Sequence, residues 1–219
     1  MGLDMYLNKY PRYKDATAND VEVIDSYFDW KERGGCGYTL KEWCGVDENE
    51  ISTDLIDFYK QKRELKHHDW DTDCVLDCYT CIKEVAYWRK ANQIHNYFVN
   101  YVQGGNDDCG NYDVSKKQLE DLLYKCKEVM RIAIMENSQV VNGYAFEDGK
   151  CIPCYEDGEV IVNADEVAAI LPTRVGFFFG STDYDSYYID DIKRTIEQLE
   201  KILAETDFET EAIYYNSSW

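Results

Sequence analysis

Positive charge is what this chain has least of. Among 219 residues, 43 Asp and Glu stand against 23 Lys and Arg, a formal net charge of −20 at pH 7. Such a surface repels phosphate backbones and anionic lipid at a distance, so neither nucleic acid nor a membrane is expected as a partner. The shortage is uneven: from Gly143 to Asp191 eleven acidic residues face only Lys150 and Arg174. Long apolar runs are missing as well. The opening M-G-L-D-M-Y-L-N-K-Y has no basic segment followed by an apolar one, and no run could span a bilayer, so a cytosolic protein is expected. A disulfide framework is lacking too, because nine cysteines without a secretion signal read as reduced thiols, most of them small buried apolar side chains.

Catalytic signatures are equally scarce. There is no G-x-S-x-G, no G-x-x-x-x-G-K, no G-x-G-x-x-G and no internal repeat. Cys74-x3-Cys78-x2-Cys81 has the spacing of an iron–sulfur cluster loop, but its flanks read as helical and i, i+4, i+7 is ordinary core spacing. Cys151-x2-Cys154, interrupted by Pro153, has the form of half a zinc knuckle with no second pair placed to complete it. No residue is assigned to a metal, and no cofactor is expected.

What is present is a core-forming chain, 45% hydrophobic and rich in Tyr. Leu3–Leu7 reads as a strand, Val21–Glu32 as a helix capped by Asn19 or Asp20, Thr39–Cys44 as a short helix, and Ser52–Lys66 as a longer one. The apolar spacing of Tyr87, Ala91, Ile94, Phe98 and Tyr101 predicts a helix from near Asp77 to Val102, stopped by Gly104-Gly105. A turn-rich loop follows, then a helix opened by Ser115 with Gln118 in capping-box position. Cys151–Tyr155 and Val160–Val162 read as a hairpin about Glu156–Glu159, Asp165–Leu171 as a short helix, and Val175–Gly180 as a central strand apolar on both faces. A helix with Ile189, Ile192, Ile196, Leu199 and Leu203 on one face and a strand at Ala212–Tyr215 complete the chain. Pairing of the first and last strands is the economical arrangement. The expected class is α+β, a small mixed or antiparallel sheet packed with an antiparallel pair of long helices and a C-terminal helix. A single domain over residues 1–219 accommodates this, with room for a helical insertion at 31–73.

Two constellations carry chemistry. On the predicted organising helix, Asn92 and His95 fall against the apolar stripe while Arg89, Gln93, Asn96 and Asn100 fall on the other side; buried amide and imidazole groups need partners. There Arg89 suits an anion, Asn92 a base or amide edge, His95 hydrogen bonding or acid/base work, and Trp88 stacking; the alternative is a core helix whose polar groups satisfy nearby backbone. The second is Gly180-Ser181-Thr182-Asp183-Tyr184-Asp185 between a strand and a helix, where helix-end amides and hydroxyls suit a phosphate or carboxylate, while Asp183 and Asp185 argue against a bare anion and suit a ribose hydroxyl, an amine, a metal-bridged phosphate or a helix cap. Asp108, in the long loop, is counted with these ligand-binding candidates.

The strings W-R-K-A-N-Q-I-H (Trp88–His95), D-D-C-G (Asp107–Gly110) and G-F-F-F-G-S-T-D-Y-D (Gly176–Asp185), with the opening M-G-L-D-M-Y-L, resemble a family of uncharacterised phage and prophage proteins. The likeness implies a virus-encoded protein acting in the host cytoplasm and carries no activity. Taken together, these features favour a protein that binds a nucleotide-like small molecule, a host immune signal, without turnover. Two other classes stand beside it: a small enzyme on the same ligand, with His95 as base and Asp183 as its partner, and an acidic mimic of nucleic acid that binds a host protein. A homo-oligomer is compatible with all three.

Overall fold

The computed structural model describes residues 2–44, 52–69, 75–147, 149–176 and 178–219, with the side chains of 43–44, 65–69 and 75–79 outside the description. Its elements in chain order are β1 (Asp4–Pro11), α1 (Ala18–Glu32), α2 (Leu40–Cys44), α3 (Thr53–Lys62), β2 (Glu64–Asp69), β3 (Val75–Thr80), β4 (Lys83–Arg89), α4 (Asn92–Tyr101), β5 (Tyr112–Val114), α5 (Lys116–Ile132), β6 (Met135–Glu147), β7 (Lys150–Ile161), α6 (Ala164–Ala168), α7 (Ser186–Glu205) and β8 (Glu211–Ser218). The class is α+β, with antiparallel pairing throughout these strands.

The central sheet has the order β4-β1-β8-β5, so the first and last strands do pair, from Asp4↔Ser218 to Pro11↔Glu211. Period-two alternation sends its side chains into two cores. Met5, Leu7, Ile213 and Tyr215 join Ile94, Phe98, Leu119, Leu122, Ile192 and Leu199 in the larger one, against α4, α5 and α7. Tyr10, Ala212 and Tyr214 join Val21, Ile24, Leu40 and Tyr59 in the smaller, against α1, α2 and α3. The long helices that pack on each other are α5 and α7. Both exposed sheet edges are blunted: β5 is three residues long, and Gln198 of α7 bonds the Tyr87 main chain from both ends of its amide, at 3.1 and 3.2 Å.

Several elements follow local chemistry already visible in the residues. Ser115 caps α5 and Gln118 returns a bond to the Ser115 amide, completing the box. For α1 the cap is Thr17, with Asp20 as the third helical residue of the box rather than the cap. The region 31–73 holds α2 and α3 as helices and then β2, so Glu64–Lys66, read as helical, is strand.

Three expectations are overturned. The organising helix is half strand: β3, β4 and a left-handed residue at Lys90 (φ 61°) precede a helix of ten residues. The stripe from Tyr87 to Tyr101 runs across the junction: Ala91, Ile94 and Phe98 are buried, but Tyr87 faces outward from β4 at 37% exposure, with Ala86 and Trp88 pointing inward on either side of it, and Tyr101 is 58% exposed. Val175–Gly180 is not a strand; Val175 is 87% exposed, Phe179 alone of its described apolar side chains is buried, and Phe177 lies outside the described residues. The hairpin is real but longer, with its turn near Gly149 (φ 76°); Glu156–Glu159 is interior to β7, paired with Val140–Asn137.

Candidate functional site

Helix α4 is buried from Asn92 to Val99, including Gln93 and Asn96, which the helical wheel had put in solvent; only Asn100 and Tyr101 at its end are exposed. A buried helical stretch with four polar side chains demands partners for each. For Asn92 and Asn96 they come from the irregular segment between Pro172 and Tyr184; Gln93 donates to Asp191 of α7 at 3.4 Å. Asn92 donates to the carbonyls of Phe179 (3.1 Å) and Ser181 (2.6 Å) and accepts from the Arg174 amide (3.1 Å). Asn96 donates to the Pro172 carbonyl at 3.0 Å and accepts from the Arg174 guanidinium at 3.4 Å. The Thr173 amide donates to the Tyr184 hydroxyl, and the Thr173 hydroxyl to the Thr182 carbonyl. The polar edge of α4 therefore takes much of the place of a ladder for this segment, whose main-chain bonds to the strand regions are those of Phe178 to Leu3 and Tyr184 to Ile161 among the described residues.

His95 completes the anchorage. Its Nε2 lies 3.1 Å from Asp107 Oδ2 and its Nδ1 2.7 Å from the Tyr215 hydroxyl, with no exposed surface. The carboxylate accepts, so Nε2 carries the hydrogen and Nδ1 accepts from Tyr215. Asp107 also receives Arg174 Nε at 3.3 Å and Trp219 Nε1 at 3.1 Å. Burial depresses the His95 pKa more than Asp107 raises it. Protonation of Nδ1 would reverse the Tyr215 bond, making the buried phenol oxygen the acceptor and leaving its hydrogen to find another partner.

The outer side of this segment forms one wall of a cleft of about 800 Å³. Gly180, Ser181 and Asp183 line it on that wall; Arg89, Lys90 and Gln93 come from the β4–α4 junction, Tyr187, Asp191 and Arg194 from α7, and Asn142 and Tyr144 from β6. The walls meet tightly. Gly180 has φ +86°, and a Cβ there would sit 3.1 Å from Lys90 Cβ. Trp88 braces the α7 side, donating at 2.8 Å to Thr195 Oγ1, which itself donates to the Asp191 carbonyl at 2.7 Å. The Tyr187 hydroxyl ties β6 and β7 to α7 through Asn142 and Glu156.

Electrostatically the cleft is mixed, with the cations Arg89, Lys90 and Arg194 among Asp183, Asp185, Asp190 and Asp191. Burial lifts the Asp191 carboxyl to about 6, against the opposing pull of the Gln93 amide, 3.4 Å away, and Arg194. Asp185 is raised by burial too, although it caps α7 by accepting from the Tyr187 and Tyr188 amides at 3.0 and 3.1 Å. Those amides are thereby spent, so the start of α7 is not the anion-binding end that the sequence suggested.

Of the nine predicted ligand residues, Arg89, Ser181 and Asp183 share the cleft. Trp88, Asn92 and His95 lie behind its walls; Thr182 and Tyr184 hold the segment in place, and Asp108 shapes the long loop by accepting from the Gly110 amide and the Tyr112 hydroxyl. His95 and Thr182, one from each predicted constellation, do not line the cleft together: His95 has no exposed surface and Thr182 is bound through its carbonyl to Thr173. No protein-family model, curated protein or solved structure matches the chain.

Sequence reasoning missed Lys90, Asp191, Arg194, Tyr144 and Tyr187. Lys90 stood inside the W-R-K-A-N string and was passed over; the α7 pair sits one turn apart on the polar side of a helix whose apolar side drew the attention. Among the described residues no three His, Cys, Asp or Glu side chains cluster as metal ligands do. Cys81 is half-buried, Cys74 lies outside the described residues, and Cys151 and Cys154 are both exposed on β7. No helix among the described residues is long and apolar enough to cross a membrane.

Proposed function

We propose that the chain binds a nucleotide-like small molecule in the cleft between the Pro172–Tyr184 segment and α7, and holds it without turnover. One observation carries this reading: a hollow within the size range of ligand sites brings Arg89, Lys90 and Arg194 together with the rings of Tyr144, Tyr187 and Phe178. The cations suit phosphate, the rings suit stacking on a base, and Asp183 suits a sugar hydroxyl. The base that the sequence offered for turnover, His95, is sealed away from the cleft. In a phage-encoded protein such a cleft would sequester a nucleotide-derived immune signal in the host cytoplasm.

The test is calorimetry of the full chain against a panel of cyclic nucleotides and ADP-ribose derivatives, followed by recovery of the bound molecule. Stoichiometric binding with unaltered ligand supports the proposal. Binding to none of the panel counts against the ligand class, and recovery of a chemically changed product shows an enzyme instead.

A further inference from the structure

Strands β6 and β7 form a two-stranded arm of 13 and 12 residues, a separate sheet that neither the central sheet nor β2–β3 joins. Its base is fixed by Met135, Val140 and Ile161, and beyond Val141 the arm is mostly solvated. Directly paired residues share a face, so Tyr144 with Pro153 and Phe146 with Cys151 stand together, and Tyr155 joins them by period two. Three of these are large and open: Tyr144 at 68%, Phe146 at 78% and Tyr155 at 61% exposure. An isolated hairpin bearing an aromatic face is marginal in water and invites a covering.

Charge decides what covers it. Between Met135 and Ile161 stand Glu136, Glu147, Asp148, Glu156, Asp157 and Glu159 against Lys150 alone. A second acidic arm, a nucleic acid or an anionic membrane would be repelled. The two edges also differ. Pro153 removes a donor from β7, whose base is already occupied where Val160 bridges to Asp185 and the Ile161 amide donates to the Tyr184 carbonyl. β6 has no proline, and β7 is its sole strand partner among the described residues.

We propose that β6 accepts, as a third strand of the arm, an extended basic segment of a partner protein whose alternate apolar side chains extend the face of Tyr144, Phe146 and Tyr155. Main-chain bonds along β6 would give affinity, and the acidic border would select for lysine and arginine. This surface adjoins the ligand cleft, which the Val141–Tyr144 stretch of β6 also lines, and extends beyond it through Phe146 and Tyr155.

The experiment is fluorescence anisotropy of the full chain with three short labelled peptides, alternating lysine with leucine, lysine with serine and glutamate with leucine. The lysine–leucine peptide is expected to bind, more weakly as salt rises, and to lose about tenfold in affinity, near 1.4 kcal/mol, in the doubly substituted Phe146→Ser/Tyr155→Ser chain. Both substitutions are at exposed positions, and unchanged circular dichroism and melting would confirm an intact fold. Equal binding of the lysine–serine peptide, unchanged binding by the double variant, or sedimentation showing self-association abolished by the same substitutions would overturn the proposal, the last by making a second copy the occupant.

Discussion

The side-chain amide of Asn92 donates to the main-chain carbonyl of Ser181 across 2.6 Å, joining the first residue of a buried helix to the rim of the cleft. The same side chain holds Phe179 and Arg174, so a single residue satisfies three backbone groups of an irregular segment. Cleft geometry thus depends on polar groups that never meet solvent.

Replacing Asn92 with alanine orphans those groups. An unsatisfied buried polar group costs about 1–3 kcal/mol and water can rescue some of them, so a loss of about 2–4 kcal/mol is expected by urea denaturation. Limited proteolysis should show new cleavage between Pro172 and Asp183. Unchanged stability would mean that the segment is held by something other than α4.

Gly180→Ala forces a side chain onto a backbone at φ +86° and toward Lys90 Cβ. A cost of about 1–2 kcal/mol follows from the left-handed conformation alone. Ligand affinity should fall with it, because the two cleft walls must part; a stable Gly180→Ala chain with full affinity would contradict that coupling.

His95 gives stability a pH dependence of known sign. Its folded pKa is depressed, so the folded chain resists the proton that the unfolded chain accepts below about 6.5. The contribution is fully present above that pH and is lost as pH falls toward the folded value. Denaturation midpoints measured down from pH 7 should therefore drop more steeply in the parent chain than in His95→Gln, which keeps a donor and an acceptor but does not titrate.

Asp191 acts the opposite way. Its carboxyl is raised to about 6, so its ionisation costs stability as pH rises through that value, and Asp191→Asn should melt higher than the parent at pH 7. Anionic ligand should bind the parent more tightly below pH 6, where the carboxyl is neutral. In Asp191→Asn that step should vanish from the calorimetric profile.

How legible all this was depended on which residues governed each element. The Ser115/Gln118 box and the Ile189–Leu203 stripe of α7 were readable because local spacing and final burial agree; the pairing of terminal strands was only the economical arrangement, since no local spacing encodes it. Tyr87–Tyr101 was not readable, because Tyr87, an outward position of β4, falls by spacing in phase with Ala91, Ile94 and Phe98 across the turn at Lys90. The phenylalanines after Val175 suggested a strand, but Phe179 packs edge-on against His95 and Trp219 while the main chain around it bonds to side chains, a tertiary substitution that no period reveals. Asn92 and His95 were correctly singled out as needing partners. That those partners would be Ser181, Phe179, Asp107 and Tyr215 rather than a ligand depended on long-range packing.

The most direct test of the account is a crystal structure of the full chain soaked with whichever panel nucleotide binds. Density bounded by Lys90, Ser181 and Arg194, with the His95–Asp107 and His95–Tyr215 contacts intact, is the predicted result. Ligand lodged against His95 after displacing Tyr215, or seated away from Lys90 and Arg194, would contradict it.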